Sequence, residues 1–197
     1  MALQGTGPGR SPAGFLEGKL LIAMPGMPDP RFERSVIFMC AHTDDGAMGL
    51  IVNKPFEGLG FRELLQRLEI PVTSNRAGGH VLFGGPVATE KGFVLHTGDY
   101  GSAEATLPVC SNIALTATRD VLTAIASGSG PDKWLFALGY AGWGPQQLES
   151  EMSGNGWVHC DPDETILFDV EHSSKWKAAL GKLGIDISGF SSEAGRA

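Results

Sequence analysis

Residues 40–55 read CAHTDDGAMGLIVNKP, and the fold class turns on how that run is divided. Its first residues end an apolar, β-branched segment, Ser35 to Ala41 (SVIFMCA), of the kind that forms a strand covered on both faces. Thr43-Asp44-Asp45-Gly46 supplies the Asp-Gly signal of a tight hairpin, and Ala47 to Val52 then runs back antiparallel. Asn53-Lys54-Pro55 stops the second strand. A second stretch, FGGPVATEKGFVLHT at 83–97, repeats the pattern of strand, glycine-rich corner and strand. It is the expected partner of the first.

Working outward, Lys19 to Met24 is an apolar run ended by Pro25, Gly26 and Pro28, hence a buried strand and then a loop. Phe61, Leu64, Leu65 and Leu68 recur at helical spacing with charged neighbours outside, which predicts an amphipathic helix stopped by Pro71. Val81–Phe83 and Gly92–His96 are short strands around Gly84-Gly85-Pro86, and Tyr100 to Thr106 is a loop. Asn112–Thr116, Trp134–Tyr140, Gly156–Cys160 and Thr165–Val170 complete the expected strands. Thr118 and Asp120 open a helix that runs through Ala126. Pro145 starts another that carries Gln147, Leu148, Glu149 and Met152. The last helix is capped by Ser173 or Ser174, places Trp176, Ala179, Leu180 and Leu183 on one face, and stops at Gly184. Residues 1–14, rich in Gly, Pro and Ser, form a loose tail, and 15–197 one domain. Nine short strands with hairpin signals and four inserted helices make the class α+β.

Composition narrows the function. Fifteen basic against 22 acidic residues give a net charge of −7. With the basic residues scattered, that balance opposes direct binding to nucleic acid. Cys40, Cys110 and Cys160 are odd in number and far apart, which fits a reducing cytoplasm better than a disulfide framework. No zinc-ligand spacing, signal-peptide core or membrane-spanning run is present. No metal and no cofactor is expected, since neither a P-loop nor G-x-G-x-x-G occurs.

Taken together, IAMPGMPDPRFERSVIFMCAH from Ile22, GAMGLIVNKP from Gly46, FGGPV from Phe83 and GFVLHT from Gly92 resemble the YqgE/AlgH family of bacterial proteins. TATRDVL from Thr116, ALGYAGWGPQQLESE from Ala137 and the closing AGRA extend the likeness over nearly the whole chain. The resemblance implies one cytosolic α+β domain, a branched, mostly antiparallel β-sheet that includes a small closed barrel, with helices around it. It also implies a role in transcriptional regulation, but no defined reaction.

Several residues carry candidate chemistry, each beside a plainer reading. Cys40 and His42, two apart on a strand, are expected on one face, as a nucleophile pair or half a metal site, or else as a small hydrophobe and a turn cap. Asp44 and Asp45 read as turn formers. Asn53 and Lys54, presented at a strand's end, suit an anionic or carbonyl-bearing ligand; alternatively Asn53 bonds loop backbone and Lys54 meets solvent. Gly84 and Gly85 make a tight corner or a pocket wall. His96 near Asp99 could serve acid–base work, but no G-x-S-x-G elbow accompanies it. Tyr140 and Trp143 among glycines, leading into the helix of Gln147, Glu149 and Glu151, form either a partner surface or core.

Two functions follow. The first is a non-enzymatic regulatory or binding protein that acts through a protein partner or small ligand. The second is an enzyme whose site gathers His42, Asn53, Lys54 and His96. The lack of any known catalytic motif favours the first.

Overall fold

The Asp44-Asp45 turn closes the expected hairpin: β2 (Val36–Thr43) and β3 (Gly46–Ile51) pair antiparallel, with Thr43 opposite Gly46. In this computed structural model, which describes residues 14–101 and 104–187, the ladder carries one irregularity. Met39 faces Gly49 and Ala41 faces Met48, so Cys40 has no opposite number. Such a bulge resets the in-out alternation of a strand. Of the tail predicted over 1–14, only Gly14 lies within the described residues, and the closing AGRA lies outside them.

β2 is flanked on its other edge by β1 (Leu20–Ala23), which in turn pairs antiparallel with β10 (Trp157–Cys160). The hairpin does not pair along 83–97 as expected. Its partner is β9 (Trp134–Trp143), with Ala47, Met48 and Gly49 opposite Trp143, Gly142 and Ala141. β9 is where the sheet branches. One of its edges carries β6 (Val87–Thr97) antiparallel. The other edge is divided, since beyond β3 the residues Phe136–Leu138 take β5 (His80–Phe83) in parallel. β4 (Pro55–Gly60) pairs with β5, while β8 (Ile113–Thr116) and then β7 (Thr106–Cys110) extend the sheet past β6. β5 and β6 are thus separated by β9 rather than paired with each other. Gly84 and Gly85 let the chain cross β9 closely, because a Cβ on either would lie 2.1–2.2 Å from the backbone of Gly139 or Tyr140.

The result is an α+β fold with a curled, mostly antiparallel sheet. It is a half-barrel rather than the closed barrel implied by resemblance: among the described residues no ladder joins the edge strands β7 and β10. Strand alternation places Leu20, Ile22, Phe38 and Leu50 inside the curl with Leu95, Leu115 and Trp176. Leu21, Ala23, Ile37 and Ile51 point to the opposite face, onto Trp143 and Leu148. A third cluster holds α1 (Phe61–Arg67) and α2 (Arg119–Ser127) against β5, β6 and β9 through Phe61, Leu65, Val121, Ile125 and Phe136. α3 (Gln147–Ser153) covers the Trp143 face, and α4 (His172–Lys182) closes the curl.

The stretch predicted as a strand at Thr165–Val170 is a π-helical turn over Thr165–Asp169. Asp163 holds it, accepting the Ile166 N–H on Oδ1 at 3.1 Å and the Leu167 N–H on its backbone oxygen at 2.9 Å. Burial of Ile166 and Leu167 under α4 supplies the rest. β-Branched composition alone could not distinguish this turn from a buried strand. α4 begins one residue before the expected caps, with Glu171 in the capping position.

Candidate functional site

The four residues of the suggested enzyme site, His42, Asn53, Lys54 and His96, do not converge. His42 is buried, and the bulge sends it away from Cys40: Cys40 lies in the main core, whereas His42 meets Leu16 and α3. Its Nδ1 accepts the Leu16 backbone N–H at 3.0 Å, so the ring proton sits on Nε2, 2.8 Å from the Glu149 carboxylate. The Cys40 thiol is held protonated by burial, which pushes its pKa up to about 12. No nucleophile pair forms there.

His96 is fully buried. Its Nδ1–H donates to the Thr97 carbonyl at 2.7 Å, and Nε2 accepts from the Thr116 hydroxyl at 2.9 Å. Burial lowers its pKa and keeps the ring neutral. Asn53 lies on a different edge of the fold. Its Oδ1 accepts the Val36 N–H and its Nδ2 donates to the Arg34 carbonyl, each at 2.8 Å. Lys54 donates to the Arg31 carbonyl at 2.7 Å, with a pKa lowered by partial burial. Together they clamp the 29–35 loop, whose Arg34 adopts a left-handed φ of 54°. Gly84 and Gly85 form the tight corner described above. Among the described residues no group of three or more His, Cys, Asp or Glu is arranged to hold a metal ion. No helix among them is long and apolar enough to cross a membrane.

Two of the other candidates, Trp143 and Gln147, meet at one cleft. A cleft of about 560 Å³ opens between the β1–β2 loop, the end of β9, α3 and the start of β10. Trp143, Trp157 and Phe32 form its floor. Ring centroids are 5.9 Å apart for the two indoles, and Phe32 lies 6.4 Å from Trp143 and 5.7 Å from Trp157. Glu151 fixes both indoles: its Oε2 accepts Trp143 Nε1–H at 3.0 Å and Trp157 Nε1–H at 2.8 Å. One turn earlier on α3, Gln147 donates to Glu151 Oε1 at 2.9 Å and accepts the Gly144 N–H at 3.0 Å. Trp143 is therefore mostly core, with one side open to the cleft. Tyr140 lies next door, in a shallower depression of about 420 Å³ that shares Val87, Gly142 and Trp143 with the cleft.

Of the residues named from sequence, Trp143 and Gln147 line the cleft, as near neighbours in the chain, whereas Glu149 turns to His42 and is not among the lining residues. Sequence reasoning missed Phe32, Trp157 and the anchoring role of Glu151. A Trp eight residues before an acid and another six after it is a signal that becomes legible only once α3 is known to fold back between two strands.

Comparison with known proteins follows the same outline. A family model described as DUF179, AlgH-like, matches residues 20–188. A UPF0301 protein of Caulobacter vibrioides is 56% identical over 184 residues, covering 93% of this chain and 94% of that one. Another from Bradyrhizobium diazoefficiens is 51% identical over 98% of this chain and 94% of its own. The solution structure of the AlgH protein from Pseudomonas aeruginosa superposes with a TM-score of 0.75 at 40% identity, covering 96% of this chain and all of that one. A Corynebacterium diphtheriae protein, at 16% identity and a TM-score of 0.70 over 93% of each chain, shares the fold.

Proposed function

We propose a function from one premise: the chain belongs to the AlgH-like family, DUF179. In our reading it is a bacterial binding protein without a reaction of its own, and it works by seating a protein partner in the cleft between α3 and the β1–β2 loop. One observation carries this. The cleft joins an aromatic floor to a few fixed polar groups, the composition of a recognition site. By contrast, His42, His96, Asn53 and Lys54 are each tied to separate structural partners. Regulation of transcription, the role implied by the family resemblance, then runs through that partner rather than through DNA, which a net charge of −7 repels.

In-cell photo-crosslinking tests the reading. A benzophenone-bearing residue in place of Gln147, on the cleft wall, is expected to yield a discrete protein adduct. The same group in place of Lys177, on the exposed side of α4, is expected to yield none. The same adducts from both positions, or none from position 147, would sink the idea.

A further inference from the structure

Glu151 is the unusual group in the cleft. Its carboxylate takes three hydrogen bonds, from two indoles and one amide. All three donors are neutral. They fill lone pairs but leave the negative charge in place. None of the ion pairs among the described residues involves Glu151. The nearby Asp29 differs, because Arg31 clamps it through Nε and Nη2 at 2.7–3.2 Å. A carboxylate outside these ion pairs thus meets the N–H edges of two indoles in a cleft that Phe32 also lines, and Arg31, the one cation among the lining residues, is already paired with Asp29. Both features favour a cation: the carboxylate by its charge, the ring faces by their quadrupole.

We propose that this cleft recognises an arginine side chain in an exposed segment of a partner protein. The inference rests on the binding reading above and names the chemistry of the partner. A guanidinium fits better than an ammonium, being planar enough to lie on the rings and more weakly hydrated on leaving water. The protein already shows such a contact within itself, with the Arg31 guanidinium 5.8 Å from the Phe32 ring centroid. A segment suits the site better than a free small cation because the concavity continues. Beyond Gly142 it opens into the second depression, lined by Met48, Tyr140 and Val87 and flanked by Asp45. Val87 is one of three large hydrophobic side chains left exposed among the described residues. An arginine in the cleft with an apolar residue beside it matches the two hollows in order.

The test follows the indole N–H signals of Trp143 and Trp157 by NMR in the full chain, with Trp134 and Trp176 as internal controls. Three probes are titrated: acetyl-arginyl-leucine amide, its citrulline counterpart, and tetramethylammonium. The arginine probe is expected to shift the two cleft signals saturably, and to bind about tenfold more tightly than the uncharged citrulline isostere. Glu151→Gln, which keeps an acceptor for the indoles, should remove most of that preference. Equal binding of arginine and citrulline by the wild-type protein overturns the proposal, whether or not the variant folds. Tetramethylammonium matching or exceeding the arginine probe overturns it too, in favour of a small free cation. A partner captured at position 147 together with no arginine preference refutes the guanidinium alone and leaves the binding reading standing.

Discussion

Asn53 uses both ends of its amide on backbone, and the consequence is measurable. Asn53→Ala leaves the N–H of fully buried Val36 without its acceptor and releases the Arg34 carbonyl. Orphaning a buried donor costs about 1–3 kcal/mol, so urea unfolding of the variant should show a loss of that size. Unchanged stability would return Asn53 to the list of ligand-binding candidates. Lys175 makes a second prediction at this scale. It is fully buried, donating among the described residues to the carbonyls of Val52 at 3.2 Å and Leu167 at 2.5 Å, and desolvation lowers its pKa from 10.5 to about 8. Between those values the unfolded chain holds a proton that the folded chain has released. Stability should therefore rise as pH climbs from about 8 toward 10.5, by an amount on the order of a few kcal/mol. In Lys175→Met that rise should flatten; an equal rise in the variant would place its origin elsewhere.

At the scale of elements, β9 bends where its sequence permits. Gly139 has φ 71°, and a Cβ there would sit 2.4 Å from the Gly85 carbonyl oxygen. Gly139→Ala combines a left-handed backbone with a clash against main chain. It is expected to cost more than about 2 kcal/mol in thermal or urea unfolding, and near-neutral behaviour would show that the crossing can relax. How far the elements were legible in sequence depends on how local their signals are. The β2–β3 turn and the helices α1, α2 and α4 announce themselves through contiguous residues. β4 (PFEGLG) and β7 (TLPVC) went unread because Pro and Gly lower strand propensity. Only neighbours such as β5 and β8, with β7 at the sheet's edge, make those segments strands. The π-turn at 165–169 escaped for the opposite reason, as its local pattern favours a strand and packing under α4 overrides it. The cleft was half legible. α3 and the end of β9 are adjacent in sequence, but Phe32 and Trp157 arrive through the β1–β2 and β1–β10 pairings, which no local pattern encodes.

At the scale of the whole molecule, β9 belongs to both halves of the sheet. Ala141–Trp143 holds the β10-β1-β2-β3 side, while residues 134–140 hold β5 and β6. A strand held in common gives the two halves no seam along which one could open while the other stays intact. Backbone amides of Phe136–Ala141 should therefore be the last in the chain to exchange with deuterium, at a rate set by global unfolding. Exchange in the edge strands β7 and β10 should proceed through smaller openings. A sheet that branches from one strand would then melt as a single cooperative unit, with no half-folded species on either side of the branch.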